Sequence, residues 1–349
     1  MFKEESYKLD VGVVKALHSQ GKLEGRPLYL VCLDKDGTTD LTDPELNSIF
    51  SLIKTTKGEV VITTGRTPAD VIDEYQKHGI NVTPYIIADN GAIIVHDGEI
   101  IAKKTLAQDK IRGILTKFRE SGGDISLIRA TDGEKIYAAD TPEVREYYTG
   151  KNIVEFIPVD EIEERLIESD GITKITLAGS KEMMSLMAEF SEGIDYWSDE
   201  GKTSFPKKEH KNMRLDISQR DINKGNGVKQ IVGMLKPALT YFCVGDGKND
   251  FSMFQVALDD GANAVVIDEN EELVGMVRAH HASNGGRGTI HTVKAGKRKA
   301  NPELRRIADY MGRVYKDAIE AELHDLNTAP EVGETTSGKL PDVDDSGLR

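Results

Sequence analysis

The sequence predicts an α/β fold, in which a doubly wound, Rossmann-like parallel sheet forms a core and carries an inserted α+β domain. In residues 27–91 and 211–295, short and continuously apolar segments alternate with amphipathic segments. This alternation is typical of parallel strands that helices cover on both faces. Residues 92–210 differ, because their strand-like segments are shorter and of mixed polarity. They therefore indicate a separate unit that is inserted into the core.

The first core segment contains three predicted strands and two predicted helices. The strands are "PLYLVCLD", "EVVITTG" and "PYIIADNGAIIV", and the last of these is interrupted at "DNG". The first helix lies in "DPELNSIFSLIKTTKG" and ends at Gly58. The second lies in "TPADVIDEYQKHG", where Thr67 is the expected N-cap and Pro68 the first helical residue.

The remaining elements are predicted from the same signals. In the insertion we expect strands at "DISLIRA", "KIYAAD", "KITLAGS" and "IDYWSD", with helices near 106–120, 159–169 and 181–192. The core then resumes with "NMRLDIS", a helix over 224–235, "LTYFCVGD", a helix near 249–258, "NAVVID" and a helix near 270–280. Outside these units, the sequence predicts an N-terminal extension over 1–26, a C-terminal helix over 296–325 and a disordered tail over 326–349.

Composition limits the class of protein. The chain has 349 residues, a hydrophobic fraction of 38% and a formal net charge of -14. The length favours two domains, and the acidic balance argues against nucleic acid or an anionic membrane as the partner. A small phosphorylated metabolite stays possible, because a local site can be positive or hold a metal.

No apolar run approaches the roughly 20 residues that span a bilayer. We therefore expect a soluble, cytoplasmic protein, whose oligomeric state the sequence leaves open.

Charged and polar residues follow three of the predicted core strands at their carboxyl ends, where ligands bind in doubly wound sheets. The first strand ends in "DKDGT", the second in "TTGR" and a later one in "GDGKND", and a lysine begins the helix before that later strand. We expect these groups to form one site, which contains Asp34, Asp36, Thr64, Lys224, Asp246 and Asp250.

Four carboxylates in one small volume require a neutralising cation or the uptake of protons. The candidate ligands are oxygen atoms, and no histidine or cysteine cluster has ligand spacing, so Mg²⁺ is the expected metal. The site predicts phosphoryl transfer, because one carboxylate can attack phosphorus and a second, two residues later, can serve as general acid and then base. The metal, the lysine and the hydroxyl can stabilise the charge on the phosphoryl oxygens.

These motifs resemble those of the phosphatases of the haloacid dehalogenase superfamily. "DKDGT" resembles the first motif, DxDGT, and Thr64 in "VITTGR" resembles the second. Lys224 resembles the third motif, and "GDGKND" resembles the GDxxxD form of the fourth. Their order and spacing also match, and the resemblance spans about residues 27–295. The insertion between the second and third motifs resembles the large α/β cap of the Cof-type sugar phosphatases.

The resemblance implies a catalytic role for four residues. Asp34 is the expected nucleophile, which forms an aspartyl-phosphate. Asp36 is expected to protonate the leaving alcohol and then to activate the hydrolytic water. Thr64 is expected to donate a hydrogen bond to the phosphoryl group, and Lys224 to balance the charge around Asp34.

The resemblance also implies a metal site and a substrate site. The expected Mg²⁺ ligands are Asp34, the backbone carbonyl of Asp36, Asp246, and Asp250 either directly or through water. Gly65, Arg66 and Asn249 are expected to bind the substrate or its phosphate, although Arg66 could instead only pair with a carboxylate. Lys35 departs from the apolar residue that is common at this position in capped phosphatases. It is expected either to point at the substrate or to be solvated or ion-paired.

Three functions are compatible with these residues. The first is a Mg²⁺-dependent phosphatase that acts on a small phosphorylated metabolite, with a sugar phosphate as the expected class. The second is a phosphosugar mutase, which would need a cluster of arginines in the cap to hold a bisphosphate. The arginines of the insertion are spread along the sequence, and this ranks the mutase lower. The third is a non-catalytic protein that binds a phospholigand, against which the complete set of acids and lysine argues.

Overall fold

The structure is a computed structural model that describes most of the chain. Backbone and side chains are described for residues 16–17, 20–21, 23, 25–80, 85–151, 153–180, 183, 187, 215–267, 271–294 and 299–317. The backbone alone is described for residues 194–199, 213–214 and 318–328. Most of the predicted N-terminal extension, most of the helix expected over 181–192 and the tail beyond residue 328 lie outside the described residues.

Fourteen strands are found in the described part of the chain. They are β1 (Tyr29–Asp34), β2 (Gly58–Thr63), β3 (Tyr85–Ala88), β4 (Ile93–His96), β5 (Glu99–Lys103), β6 (Arg129–Thr131), β7 (Ile136–Ala139), β8 (Val154–Ile157), β9 (Lys174–Gly179), β10 (Ile194–Asp199), β11 (Met213–Gln219), β12 (Thr240–Gly245), β13 (Asn263–Ile267) and β14 (Thr289–Val293).

Nine α-helices lie within the same described segments. They are α1 (Leu46–Thr55), α2 (Pro68–Lys77), α3 (Gln108–Glu120), α4 (Pro142–Tyr147), α5 (Ile162–Glu168), α6 (Lys224–Leu235), α7 (Phe251–Asp259), α8 (Glu271–Ser283) and α9 (Asn301–Thr328). The sequence did not predict the short elements α4 and β8, which lie between the predicted strand "KIYAAD" and the predicted helix near 159–169.

The core is a sheet of eight strands in the order β14-β13-β12-β1-β2-β3-β4-β5. The six strands from β14 to β3 are parallel, and β4 and β5 are antiparallel to their neighbours. β1 lies between β2 and β12, with Asp34 opposite Thr63 and Leu33 opposite Val244. This order brings the carboxyl ends of three motif-bearing strands together at one edge of the sheet.

Both faces of this sheet are covered, and the predicted doubly wound α/β class is confirmed. Alternate residues of β1 point to opposite faces, as the pleat of a strand requires. Tyr29, Val31 and Leu33 pack in a cluster with α1, α2 and α9, whereas Leu30 and Cys32 pack with α6, α7 and α8. Every residue of β1 is buried, which explains its continuously apolar sequence.

The cap is built on a second sheet, of six strands in the order β10-β11-β9-β6-β7-β8. Helices α3 and α5 pack on one face through residues such as Phe118 and Leu166. Ile175 and Leu177 of β9 join this cap core, whereas Lys174 and Thr176 lie on the opposite face. That alternation is typical of a sheet with one covered and one polar face.

Two boundaries of the predicted units differ from the structure. β4 and β5, which fall inside the predicted cap, pair beside β3 in the core sheet, because a turn with positive φ at 89–91 returns the chain antiparallel to β3. β11, predicted to begin the second core segment at 211, pairs instead with β9 and β10. We therefore propose that the core comprises residues 27–103 and 220–294, and the cap residues 104–219.

The C-terminal helix is present, and it continues three residues beyond the predicted end at 325. Its buried residues Leu304, Ile307 and Met311 pack on the core sheet. No helix within the described residues is long and apolar enough to cross a membrane.

Gly91 determines how closely the turn after β3 approaches the start of α6. Its φ is +108°, and a Cβ at this position would lie 2.3 Å from the backbone oxygen of Asn223. Gly98, between β4 and β5, also has a positive φ of +84°, but a Cβ there would meet nothing within 4 Å. Both glycines thus have a positive φ, but only at Gly91 would a Cβ collide with a neighbouring backbone atom.

We expect Gly91→Ala to lower the free energy of unfolding by roughly 3 kcal/mol or more. Both the strain of a positive φ and the collision with the backbone oxygen of Asn223 contribute to this loss. Gly98→Ala is the matched control, and the strain alone is expected to cost it about 1–2 kcal/mol. Urea denaturation of both variants measures the difference. Equal losses would contradict the close packing of this turn against α6.

Candidate active site

Asp34 and Lys224 form the centre of the site. Asp34 is the last residue of β1 and is 3% exposed, and Lys224 is the first residue of α6 and is 1% exposed. The helix begins here because the side chain of Asn223 accepts a hydrogen bond from the Asn226 N–H at 2.9 Å. The Lys224 ammonium donates to Asp34 Oδ1 and, at 2.7 Å, to Asp250 Oδ1. The predicted contact of Lys224 with Asp34 is therefore present.

Asp250 organises the loop that follows β12. Its Oδ2 accepts hydrogen bonds from the backbone N–H groups of Asp246, at 3.0 Å, and Gly247, at 2.9 Å. The loop thereby turns Asp246 towards β1. The Thr38 hydroxyl lies 2.6 Å from Asp246 Oδ1 and 3.2 Å from Asp34 Oδ2, so it links the carboxylates of the two strands.

Gly37 allows this close approach. Its φ is +88°, and a Cβ at this position would lie 2.2 Å from Asp246 Oδ2. Any larger residue would displace the Asp246 carboxylate and would also strain the backbone.

The acids at the ends of β1 and β12 fit a divalent metal. Asp34, Asp246 and Asp250 each offer a carboxylate oxygen, and these oxygens lie within 4.8 Å of one another. Burial and the neighbouring Asp250 raise the pKa of Asp34, although Lys224 opposes this shift. Burial also raises the pKa of Asp246. Three carboxylates beside one ammonium thus leave negative charge to neutralise, and a set of oxygen ligands suits a hard cation such as Mg²⁺.

Asp36 lies outside this cluster of three acids. Its side chain is 47% exposed and accepts from Arg66 Nε at 2.9 Å and from Lys35 Nζ at 3.2 Å. Partial burial works against ionisation, but Lys35 and Arg66 together hold the pKa of Asp36 below its ordinary value. Only the backbone carbonyl of Asp36 was expected to reach the metal, and the position of its side chain is compatible with that expectation.

Lys35 and Arg66 each form a second ion pair, with Glu74 of α2. Lys35 Nζ lies 2.9 Å from Glu74 Oε2, and Arg66 Nη1 lies 2.5 Å from the same oxygen. Lys35 is buried and ion-paired, which agrees with one of the two expectations for this residue. Arg66 pairs with carboxylates and also lines the cavity described below, so both of its predicted roles stay open.

Thr64 follows β2 and is fully buried. Its hydroxyl oxygen accepts the Arg66 N–H at 3.1 Å, and its own N–H donates to the Ile87 carbonyl at 2.8 Å. The next residue, Gly65, accepts a hydrogen bond from Lys174 of the cap through its carbonyl oxygen. This contact joins the two units beside the ends of the motif-bearing strands.

A cavity of about 470 Å³ lies between the core and the cap. Its core wall carries most of the predicted site residues, namely Asp34, Asp36, Gly65, Arg66, Lys224 and Asn249. Its cap wall carries residues that the sequence reasoning did not identify, among them Arg129, Tyr147, Tyr148, Lys151, Lys174 and Asp216. No motif marks these cap residues. One sequence pattern could have located part of this wall. In β9 and β11 polar residues alternate with apolar ones, and this alternation places the polar residues on one face of the cap sheet.

The chain was compared with known proteins. The sequence profile of the haloacid dehalogenase-like hydrolases matches residues 31–272. A Mycoplasma pneumoniae protein that is provisionally named a phosphatase is 24% identical over 266 residues, which are 70% of this chain and 88% of that protein.

Solved structures share the fold. A subclass IIB sugar phosphatase of the superfamily, BT4131, has a TM-score of 0.57 at 14% identity, over 81% of this chain and 98% of its own. The Thermotoga maritima protein TM0651 also has a TM-score of 0.57, at 18% identity, over 80% of this chain and 97% of its own. A haloacid dehalogenase-like hydrolase from B. subtilis has a TM-score of 0.55 at 18% identity, over 81% of this chain and 98% of its own.

The profile match covers well over half of the chain and includes all four motifs that meet at the edge of the core sheet. The chain therefore belongs to the haloacid dehalogenase-like hydrolase family.

Proposed function

We propose that this hydrolase is a Mg²⁺-dependent phosphatase that acts on a small phosphorylated metabolite through an aspartyl-phosphate on Asp34. One observation carries the proposal: a buried carboxylate at the end of the central strand faces the cavity, with an ammonium and two further acids beside it. A cytoplasmic location, as the sequence suggests, is part of the same proposal. A sugar phosphate is the proposed substrate class, and the likeness of fold to a sugar phosphatase supports it.

Asp34 is well placed to act as the nucleophile. Lys224 donates to Oδ1, and the Thr38 hydroxyl lies 3.2 Å from Oδ2, so the carboxylate is positioned at the cavity wall. One Asp34 oxygen forms a bond to phosphorus while the bond from phosphorus to the leaving alcohol breaks. Water then attacks phosphorus, which releases phosphate and restores the Asp34 carboxylate.

Asp36 is the proposed proton donor and acceptor for these two steps. It gives a proton to the leaving alcohol oxygen, and it later takes a proton from the attacking water. In the structure Arg66 and Lys35 hold it as a carboxylate. We therefore propose that Arg66 moves from Asp36 to the phosphorylated substrate, which frees Asp36 to carry the proton.

The metal would be held by Asp34, Asp246 and the backbone carbonyl of Asp36. Both oxygens of Asp250 already accept hydrogen bonds, from Lys224 and from the loop N–H groups, and this favours contact with the metal through water. Bound Mg²⁺ supplies positive charge that stabilises the phosphoryl oxygens. The Thr64 hydroxyl, the Gly65 backbone and the Asn249 side chain are the proposed protein contacts of the same oxygens.

The cap favours a phosphatase over a phosphosugar mutase. Three of the cap arginines, Arg119, Arg145 and Arg165, pair with cap carboxylates. Among the cap arginines that the structure describes, Arg129 lines the cavity and these three do not. A cluster of arginines for a bisphosphate intermediate is thus absent from the described part of the cap wall.

The first test measures phosphate release from phosphorylated sugars, phosphorylated sugar acids and a generic aryl phosphate. We expect release with Mg²⁺, none with excess EDTA, and a loss of about 10³-fold or more in Asp34→Asn, because the amide cannot attack phosphorus. Asp73→Asn is the control, since this carboxylate on α2 is 57% exposed and pairs with Lys77. Activity that persists in Asp34→Asn would mean that another group is the nucleophile.

A second test concerns the buried ammonium. Lys224→Met is expected to lower kcat/KM for the aryl phosphate by about 10²–10³-fold, because Asp34 and the phosphoryl oxygens lose their fixed positive charge. Lys229→Met removes an exposed lysine from the same helix and is expected to leave kcat/KM unchanged. Lys224→Arg retains the charge and guards against a folding defect, and urea denaturation reports the stability of each variant. Near-normal activity in a folded Lys224→Met would contradict the proposed role.

A further inference from the structure

We propose that Lys174 of the cap is a positioning residue for the phosphoryl group of the substrate. Its ammonium fixes the loop of residues 64–66, which we call the phosphoryl loop. This loop follows β2, and its residues Thr64 and Gly65 are proposed contacts of the phosphoryl oxygens. The inference rests on the proposed phosphatase function, because it concerns how the core binds the same phosphoryl group. Lys174 would act through the loop and not by touching the substrate.

Lys174 reaches the core from the first residue of β9. Its side chain is 7% exposed, and its ammonium donates a hydrogen bond to the Gly65 carbonyl. The same ammonium lies 3.4 Å from Asp89 Oδ1 and 3.9 Å from Asp216 Oδ2. Two carboxylates thus balance its charge. A neutralised and buried ammonium is suited to hold a peptide carbonyl in place rather than to bind a further anion.

The contact fixes one peptide group of the phosphoryl loop, the one between Gly65 and Arg66. Its carbonyl accepts from Lys174, and its N–H, which is that of Arg66, donates to the Thr64 hydroxyl oxygen at 3.1 Å. A peptide group is planar, so a fixed carbonyl also fixes the direction of the N–H. The positive charge at the carbonyl polarises the peptide and strengthens the bond that the N–H makes. Lys174 therefore helps to place the Thr64 hydroxyl.

The core itself holds the two other carbonyl groups of the phosphoryl loop. The Asn90 N–H donates to the Thr64 carbonyl at 2.9 Å. The Asp89 N–H donates to the Arg66 carbonyl, also at 2.9 Å. Both donors lie in the turn after β3. The remaining carbonyl of the loop, that of Gly65, is the one that accepts from the cap, so the cap completes the set of contacts that fixes the loop.

Asp89 fixes the position of Lys174 relative to the core. The Asp89 carboxylate is fully buried, and its Oδ2 accepts from the Thr173 hydroxyl at 2.8 Å. Its Oδ1 lies 3.4 Å from the Lys174 ammonium. Two consecutive cap residues thus contact both oxygens of one core carboxylate. A displacement of the cap at this point would therefore also release the Gly65 carbonyl.

The test measures the affinity for inorganic phosphate, which resembles the phosphoryl group and has no leaving group. We expect Lys174→Met to raise the Kd of inorganic phosphate, titrated by calorimetry in the presence of Mg²⁺, by about tenfold or more. In the same variant kcat/KM should fall by one common factor for the aryl phosphate and the sugar phosphates, because the phosphoryl loop contacts the group that they share. Lys174→Arg should retain part of the phosphate affinity, since a guanidinium can also donate to the carbonyl.

A second variant separates this role from a folding defect. Lys174→Met leaves the buried Asp89 carboxylate without a nearby cation, which destabilises the fold. The double variant Asp89→Asn/Lys174→Met removes both charges, and its amide oxygen can still accept from Thr173. We expect the double variant to bind phosphate about tenfold more weakly than Asp89→Asn alone. Lys135→Met is the matched control, because Lys135 is a cap lysine, 55% exposed, that pairs with Glu155. It should leave the Kd of phosphate unchanged, and urea denaturation reports the folding of every variant.

Two results would overturn the inference. One is an equal Kd of phosphate in Asp89→Asn and in the folded double variant. The other is a loss of kcat/KM in Lys174→Met that differs between leaving groups while the Kd of phosphate is unchanged, which would place Lys174 against the leaving group.

The unaltered protein separates the inference from the proposed function. Hydrolysis of the aryl phosphate together with a Kd of phosphate that is independent of Lys174 would remove only the inference. Binding of phosphate that depends on Lys174, without hydrolysis of any compound, would remove the proposed function and leave the positioning role. Neither binding nor hydrolysis would remove both.

Discussion

The structure depends on one electrostatic constraint, which is the convergence of several carboxylates at the end of a buried strand. Unit charges about 4 Å apart interact by about 4 kcal/mol even at an effective dielectric constant of about 20. Asp34, Asp246 and Asp250 have oxygens within 4.8 Å of one another, and the Lys224 ammonium offsets only part of their repulsion. Burial raises the pKa of Asp34, and the neighbouring Asp250 raises it further. A divalent cation would neutralise the excess negative charge of these carboxylates. Its charge would also stabilise the phosphoryl oxygens of a bound substrate.

The fold imposes this convergence because β1 lies between β2 and β12 in a parallel sheet. Neighbouring parallel strands end at the same edge, so residues far apart in sequence become neighbours without long loops. Gly37 permits the close approach of the two loops, and Gly91 packs the turn after β3 against the start of α6. The cap then covers this edge, and Lys174 of the cap donates a hydrogen bond to the Gly65 carbonyl beside it. Under the proposed function, the core sheet would supply the chemistry and the cap would contact the rest of the substrate.

The core and its acids were predictable, because buried parallel strands have continuous apolar sequences and the motifs directly follow them. The boundaries of the cap were less predictable. β11 contains Leu215 and Ile217 next to the core helix α6, and only its pairing with β9 assigns it to the cap. The pairing of Arg66 with Asp36 and Glu74, and the position of Arg129 on the cavity, depend on contacts between distant segments. No local spacing in the sequence encodes such contacts.

The covalent intermediate is the central claim, and it can be detected directly. The enzyme would be mixed with Mg²⁺ and a turned-over substrate, quenched in acid within one turnover, reduced with borohydride and digested for mass spectrometry. Borohydride converts an aspartyl-phosphate, which is an acyl phosphate, to homoserine. The account predicts homoserine in place of Asp34, in the peptide that contains "LVCLDKDGT", and only when substrate and Mg²⁺ are both present. Homoserine at another aspartate, or an unreduced Asp34 during rapid phosphate release, would contradict it.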